Sequence, residues 1–314
     1  MQIIGPDSLI FGVDDVAACI QYLTDYGLTP RDVSAAGGRF EALDGTAIVI
    51  RHKNDASLPA PMGTASMLRK TVYGVADAAT LTAVAAELGK DREVRRLADG
   101  SLEALDNMGF VLGFQITVRR KFSLPAEAIN APGAPAQRPA NVVAVDEAAV
   151  IVPRTLSHVV YFVPDAAKAE AFYQRLGFRC TDRFIGAGPF LQPAGSLDHH
   201  TLFLIQTPPA MLGCEHFTFH LAGPTELMQA GYRFVNKGYQ SFWGPGRHKF
   251  GSNWFWYFNS PLGCHVEYDA DMDLHDASWV AREVPINADS SQLFLFHHRE
   301  KWSPGGPPAP GAAH

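Results

Sequence analysis

The segment SLIFGVDDVAACIQYLTDYGLTP, residues 8–30, decides the fold because it recurs in outline as HVVYFVPDAAKAEAFYQRLGFRC, residues 158–180. Each copy has a short apolar strand, an acidic turn and an amphipathic helix, followed by glycine and an apolar residue. Two such copies far apart in one chain are typical of an internal duplication. We therefore predict that the two halves of the chain share one framework.

Later segments of the two halves also correspond. Residues 71–89 and 217–238 each predict a strand followed by a helix, and residues 104–116 and 257–270 each predict the closing strands of a unit. An approximate βαβββ unit then occurs four times, two in each half. This pattern predicts an α+β fold built from a divergent duplication.

Composition excludes several classes of protein. The 314 residues are 47% hydrophobic and 18% charged, which suits a globular chain of two domains. A formal charge of −6 gives no reason to expect nucleic acid or an anionic membrane as partner. No apolar stretch approaches the roughly 18 residues of a membrane span, and the N-terminus lacks the basic region of a secretory signal. We predict a cytoplasmic protein.

Pro- and Ala-rich runs predict the domain boundaries. We expect an N-terminal non-catalytic domain over residues 1–120, a linker over 121–150, a catalytic domain over 151–299 and a flexible tail over 300–314. The four cysteines are widely spaced with no CxxC pair, so we expect reduced thiols. A thiol nucleophile is the alternative interpretation.

The duplication lets the sequence serve as its own control, because equivalent positions share the demands of the fold. Three potential metal ligands in the second half have no counterpart of that kind in the first. The aligned pairs are His158 with Ser8, His216 with Lys70, and Glu267 with Gly113. We infer that the chemistry is carried by the C-terminal half.

Each of the three lies in a segment with strand character, so adjacent strands could direct them into one concavity. Two histidines and one carboxylate on one side of a metal form the facial triad of non-haem Fe(II) oxygenases. His216 and His220 lie roughly 13 Å apart along one strand and cannot both bind the same ion. The alternative is that each histidine is an ordinary hydrogen-bonded core residue and that Glu267 is exposed.

Three motifs in the second half carry a family resemblance. They are SHVVYFVPDAAKAEAFYQRLGF (157–178), CEHFTFHLAG (214–223) and GPGRHKFGSNWFWYFNSPLGCHVEY (244–268). This half resembles the catalytic domain of a type I extradiol ring-cleavage dioxygenase. That family belongs to the vicinal oxygen chelate superfamily, with glyoxalase I and bleomycin-resistance proteins.

The resemblance implies two glyoxalase-like domains, each of two βαβββ modules that form an incomplete barrel. It implies that His158, His216 and Glu267 are the Fe(II) ligands, with Mn(II) as the alternative metal. The partners it implies are a catecholic small molecule and O2, and the protein would be a homo-oligomer.

The same resemblance places His248, Tyr257 and one of the His199–His200 pair at catalytic positions beside the metal. We favour His200 because it directly precedes the strand TLFLIQ, with His199 as the alternative. His248 and Tyr257 suit hydrogen bonding to a substrate oxyanion, and His200 suits proton donation during oxygen–oxygen bond cleavage. The product would be of the muconic semialdehyde type.

Aromatic residues predict the walls of an apolar pocket, with Phe190, Phe242 and Trp243 as candidates. Arg247 or Lys249 could meet a carboxylate on the substrate, or each could be a surface charge. Two other functions stay open on the same fold: a glyoxalase-type lyase or isomerase, and a ligand-sequestering protein of the bleomycin-resistance kind. The glyoxalase type usually divides four ligands between two modules.

Overall fold

Two mixed β-sheets, one from each half of the chain, form the framework of the protein. In the computed structural model, which describes residues 1–296, the first sheet has eight strands and the second has ten. The elements of the first half are β1 (Ile3–Val13), α1 (Val16–Asp25), β2 (Thr29–Ser34), β3 (Gly37–Glu41), β4 (Ala47–His52), β5 (Leu68–Val75), α2 (Ala78–Leu88), β6 (Arg95–Arg96), β7 (Leu102–Leu105) and β8 (Val111–Ile116). The strand order is β2-β3-β4-β1-β5-β8-β7-β6.

The second half repeats this arrangement and extends it. Its elements are β9 (Thr155–Val163), α3 (Ala166–Arg175), β10 (Arg179–Ile185), β11 (Gly188–Gln192), β12 (Leu202–Gln206), a short 3-10 helix (Pro209–Met211), β13 (Gly213–His220), α4 (Pro224–Asn236), β14 (Ser241–His248), β15 (Trp254–Phe258), β16 (His265–Ala270), β17 (Arg282–Pro285) and β18 (Gln292–Leu295). The order is β17-β10-β11-β12-β9-β13-β16-β15-β14-β18. The four predicted βαβββ units are therefore present, and β17 and β18 are additions at the two edges.

The acidic turns of the sequence are helix N-caps. Asp15, Asp77 and Asp165 each precede a helix, and each carboxylate accepts a hydrogen bond from the backbone N–H three residues later. Such a cap satisfies one of the N–H groups that the first turn leaves without a partner. The same local signal thus starts α1, α2 and α3.

Strand register confirms the alignment of the two halves. In the first half, Val72 on β5 pairs with Ser8 on β1 and with Gly113 on β8. In the second half, Thr218 on β13 pairs in the same way with His158 on β9 and with Glu267 on β16. Lys70 lies two residues before Val72, and His216 lies two residues before Thr218. The three pairs of residues that were aligned from the sequence are therefore structurally equivalent.

The two halves pack directly against each other through aromatic side chains. Tyr26 stacks on Tyr268 with ring centroids 4.1 Å apart, and the Tyr26 hydroxyl donates to the backbone carbonyl of Glu267 at 2.5 Å. Phe11 packs on Phe217 at 5.7 Å. One apolar core therefore continues from the first sheet into the second.

Residues 117–154, all of which the structure describes, contain no helix or strand. The tail predicted over 300–314 lies outside the described residues. All four cysteines are free thiols, as predicted. Within residues 1–296 no helix is both long and apolar enough to cross a membrane.

Candidate active site

Three adjacent strands bring the predicted metal ligands together. His158 lies on β9, His216 on β13 and Glu267 on β16, and these strands are neighbours in the sheet. Thr218 pairs with both His158 and Glu267 across the sheet, and His216 is two residues away on the same strand. Because side chains alternate along a strand, all four point to the same face.

The ligand atoms of the three residues form a compact triangle. Nε2 of His158 lies 3.3 Å from Oε2 of Glu267, and Nε2 of His216 lies 3.4 Å from that same oxygen. The two Nε2 atoms are 3.4 Å apart. Ligands at right angles on a metal with bonds of about 2.1 Å would lie about 3 Å apart, so this spacing fits one divalent ion.

The hydrogen bonds behind the two histidines engage their Nδ1 atoms, which leaves Nε2 of each ring as the atom that would bind a metal in place of a proton. Nδ1 of His216 donates to the carboxylate of Glu215. Nδ1 of His158 lies 2.9 Å from Oγ of Ser157, whose hydroxyl is 3.4 Å from Asp269. A histidine ligand held through its other ring nitrogen is the usual arrangement in metal sites. Glu215, Ser157 and Asp269 were not predicted, because nothing in the sequence indicates these pairings.

The electrostatics of the site favour a bound cation. Burial disfavours a charge on His216, but the carboxylates of Glu215 and Glu267 outweigh burial and raise the pKa of His216 to about 10. Burial also opposes ionisation of Glu267, yet hydrogen bonds with His158 and His216 hold the pKa of its carboxyl well below the usual range. The second carboxylate oxygen of Glu267 is buried without a hydrogen-bond partner among the described residues. A metal ion would supply the positive charge that this buried carboxylate requires.

His248 and Tyr257 lie together beside Glu267. The Tyr257 hydroxyl is 3.3 Å from Nε2 of His248, and that nitrogen is 3.6 Å from Oε1 of Glu267. Nδ1 of His248 donates to the backbone carbonyl of Ser291 at 2.8 Å. Burial raises the pKa of Tyr257 well above its usual value, so its phenol stays neutral and can donate a hydrogen bond.

The His199–His200 pair divides between the cavity and the protein interior. His200 lines the cavity, and its ring is 4.3 Å from that of His158 between centroids. His199 is fully buried, with Nε2 2.8 Å from Oδ2 of Asp182 and Nδ1 2.9 Å from Nδ1 of His200. Burial lowers the pKa of both imidazoles. Asp182 was not predicted, because its contact with His199 exists only in the folded sheet.

A cavity of about 350 Å³ opens above the triad. Its wall is mostly apolar, and four phenylalanines form with Val160 a cluster separate from the main core. These phenylalanines are Phe184, Phe190, Phe203 and Phe250. The predicted wall residues Phe190, Phe242 and Trp243 all line it, and no lysine or arginine does among the described residues. Arg247 instead pairs with Asp271, and Lys249 donates to the backbone of Asp289.

The C-terminal segment after β16 reaches the cavity through two residues near its end. Ile286 and Ser291 line the cavity, whereas the residues at 271–281 do not. These two lie between β17, which pairs with β10, and β18, which pairs with β14. The segment therefore crosses the open side of the incomplete barrel.

Comparison with known proteins agrees with this geometry. Residues 155–268 match the family model described as the Glyoxalase/Bleomycin resistance protein/Dioxygenase superfamily. Metapyrocatechase 2 of Cupriavidus necator is 37% identical over 150 residues, which are 48% of this chain and 45% of that protein. The alignment thus spans about half the length of this relative. The predicted resemblance to extradiol dioxygenases of the vicinal oxygen chelate superfamily is confirmed.

Solved structures extend the similarity in fold to the whole chain. The Mn(II)-bound glyoxalase from Novosphingobium aromaticivorans superposes with a TM-score of 0.73 at 18% identity, over 95% of each chain. The 2,2',3-trihydroxybiphenyl 1,2-dioxygenase of Sphingomonas wittichii RW1 gives 0.69 at 19% identity, over 95% of this chain and 100% of that one. The predicted α+β fold of two glyoxalase-like domains is confirmed.

Proposed function

We propose that the protein is an extradiol dioxygenase that opens the ring of a substituted catechol with O2. The bond that breaks joins a hydroxylated ring carbon to its neighbour without a hydroxyl group. Both oxygen atoms of O2 enter the product, a muconic semialdehyde, so no further reductant is needed. The observation that most directly supports this function is the triangle of His158, His216 and Glu267 at the base of an apolar cavity.

The metal would be Fe(II), held by those three residues. When bound, it would lower the pKa of the substrate hydroxyl groups and supply the redox chemistry that O2 needs. The same set of two nitrogen ligands and one carboxylate accepts Mn(II). Activity should therefore be measured with each of the two metals.

The surrounding side chains would handle protons and orient the substrate. The Nδ1–H of His248 is directed to the backbone carbonyl of Ser291, so Nε2 is the nitrogen with which this residue would meet the substrate. Tyr257 donates, so this pair can hold a substrate hydroxyl group and stabilise its oxyanion. His200, on the other side of His158, is placed to accept a substrate proton and to return it later.

The wall of the cavity supports a substrate with an apolar substituent, such as an alkyl or aryl catechol. The phenylalanine cluster offers aromatic faces for stacking, and a carboxylated catechol would meet no lysine or arginine side chain among the described residues. A carboxylate would then be buried without a partner.

The distribution of ligands argues against the glyoxalase-type alternative. All three candidate ligands come from the second half, and the equivalent positions of the first half hold Ser8, Lys70 and Gly113. A sequestering protein would not need a buried carboxylate between two histidines, because burying that charge costs free energy. The homo-oligomer, the cytoplasmic location and the domain boundaries stay predictions.

The test is anaerobic reconstitution with Fe(II) or Mn(II), followed by O2 and a panel of catechols. The panel comprises catechol, 3-methylcatechol, 2,3-dihydroxybiphenyl and 3,4-dihydroxybenzoate. We expect O2 uptake and a yellow product, with kcat/KM highest for the apolar substrates. Protein that binds metal yet consumes no O2 with any catechol would contradict the proposal.

Two variants test the expected preference for substrates with an apolar substituent. Phe203→Ala should lower kcat/KM for 2,3-dihydroxybiphenyl more than for catechol, by roughly tenfold or more, because a stacking contact and apolar area are lost. Arg247→Gln is the control, since this cation lies outside the cavity, and it should leave the preference unchanged. A gain of activity on 3,4-dihydroxybenzoate over 2,3-dihydroxybiphenyl in the unmodified protein would contradict the apolar assignment.

A further inference from the structure

A chain of hydrogen bonds runs from the C-terminal segment to the cavity wall and ends on His200. Asp182, on β10, accepts from the backbone N–H of Arg282 at 2.8 Å and from its guanidinium at 2.5 Å. The other contact of Asp182 is Nε2 of His199 at 2.8 Å, and Nδ1 of His199 meets Nδ1 of His200 at 2.9 Å. Two buried side chains, Asp182 and His199, thus lie behind one residue of the cavity, His200.

The donors along this chain have one consistent direction. Burial opposes ionisation of Asp182, but hydrogen bonds from His199 and Arg282 hold the pKa of its carboxyl below the usual value. A carboxylate can only accept, so Nε2 of His199 carries the proton. Burial lowers the pKa of His199, which is therefore neutral, and its Nδ1 is a lone-pair acceptor. The hydrogen between the two imidazoles consequently belongs to Nδ1 of His200.

The remaining nitrogen of His200 then has a defined state. Its Nδ1–H is directed to His199, so Nε2 is the remaining ring nitrogen, and in this tautomer it bears a lone pair. Among the described residues no group hydrogen-bonds this Nε2, and the side chain lines the cavity. The ring is also held in place, because Phe190 packs on it at 4.9 Å between centroids.

We propose that Asp182 and His199 are positioning residues that hold His200 in the Nδ1–H tautomer, with the Nε2 lone pair facing the cavity. The consequence for turnover rests on the proposed function. In that reaction the lone pair accepts a proton from a substrate hydroxyl group and gives it back to an oxygen of the opening ring. No proton is consumed, and His200 returns to its starting state.

His199 itself does not reach the substrate. It is fully buried and packs between Phe190 and His275, at 5.3 and 5.4 Å between ring centroids. A purely structural residue at this position would need only to fill space. A residue that sets the tautomer must keep an acceptor toward His200, and this difference can be measured.

The first experiment reads the tautomer without any need for turnover. Histidine ring nitrogen resonances are recorded by NMR on the full chain loaded with diamagnetic Zn(II). In Asp182→Asn the amide N–H₂ can replace the carboxylate oxygen toward His199, which then accepts at Nε2 and donates at Nδ1. His200 is forced into the Nε2–H tautomer, and we expect its two ring nitrogen signals to exchange character. Glu170→Gln is the matched control, because Glu170 is another buried carboxylate paired with an arginine, Arg183, and it should leave His200 unchanged.

The second experiment measures kinetics on the Fe(II)-loaded chain. In the Ser-His-Asp triad, the corresponding Asp→Asn change keeps the geometry and produces the wrong histidine tautomer. We expect Asp182→Asn to lower kcat by roughly 10²–10⁴-fold, the range of general acid–base catalysis, with KM and metal content little changed. His199→Asn keeps an acceptor near the Nδ1 position and should retain more of kcat than His199→Phe, which keeps only the shape.

The outcomes separate this proposal from the proposed function. An unmodified protein with His200 in the Nδ1–H tautomer but no ring cleavage would overturn the function and leave the positioning intact. If Asp182→Asn kept the original tautomer, the positioning would be overturned whatever the activity. If that variant did not fold, equal kcat values for His199→Asn and His199→Phe would overturn it instead.

Discussion

The two halves of the molecule place different side chains at four equivalent positions in the same row of strands. The pairs, N-terminal residue first, are Ser8 and His158, Lys70 and His216, Gly113 and Glu267, and Glu103 and Tyr257. In the first half Nζ of Lys70 lies 2.8 Å from Oε2 of Glu103, and both side chains are largely buried. This ion pair occupies the place that the candidate metal ligands occupy in the second half.

The difference shows that the same fold can stabilise a buried carboxylate in two ways. The second half buries a carboxylate, Glu267, beside two histidines, and a bound metal would supply the cation there. The first half carries its own cation, Lys70, and a Cβ atom added to Gly113 would lie 2.6 Å from Cε of that lysine. The strands and their register are unchanged, so a few side chains decide which half can bind a metal.

The largest expected effect comes from replacing Glu267, the carboxylate among the candidate metal ligands. Glu267→Gln should lose the metal and lower activity by a factor on the order of 10³ or more, because several kcal/mol of metal stabilisation disappear. Glu103→Gln, the N-terminal counterpart in charge, should keep both. Metal content per chain and O2 uptake measure this contrast, and a metal-loaded Glu267→Gln variant would break the comparison.

Replacement of His248 tests whether the C-terminal site has two kinds of residue. His248→Ala should keep its metal but turn over about 10²-fold more slowly, because an acceptor for the substrate hydroxyl group is lost while the three candidate ligands remain. His52→Ala, at an exposed histidine of the first half, serves as the control. If His248→Ala also emptied the metal site, the assigned division between ligands and proton-handling residues would be wrong.

The ion pair of the first half should matter for stability alone. Lys70→Met leaves Glu103 with only Arg95, 2.9 Å away, and should cost about 3 kcal/mol, the low end for breaking a buried pair. Arg95→Met removes a largely exposed partner and should cost about 1 kcal/mol or less. Urea unfolding gives both values. A loss of metal from Lys70→Met would show that the two halves are not independent in function.

The smallest effect concerns the contact between the halves. Tyr26→Phe removes the hydroxyl that donates to the backbone of Glu267, which should cost about 1 kcal/mol and weaken metal affinity by less than about tenfold. Tyr22→Phe, one turn earlier on α1, removes a buried hydroxyl that has no hydrogen-bond partner among the described residues. Metal titration followed by thermal unfolding compares the two variants. Equal effects would remove any specific role for the Tyr26 contact.

The sequence predicted the framework because the duplication is local and repeated. The acidic N-caps, the helix patterns and the aligned strands are short-range signals, and register confirmed the equivalence of His158, His216 and Glu267 with their counterparts. The partners behind the site could not be predicted in this way. Asp182 meets His199, and Glu215 meets His265, only after strands pair across the sheet. The two edge strands β17 and β18 also lack a counterpart in the first half, so the internal control gave no information about them.

The segment from β17 to β18 serves both the candidate active site and the two edges of the second sheet. It covers the outer strands β10 and β14, whose unpaired edges would otherwise be templates for association with other chains. It also holds Asp182 through Arg282, and His248 through the carbonyl of Ser291. A chain cut before residue 282 would lose the hydrogen bonds that this segment makes to Asp182 and His248. It would also expose the unpaired edges of β10 and β14. Chains that lack this segment would therefore be expected to lose the proposed activity and to aggregate.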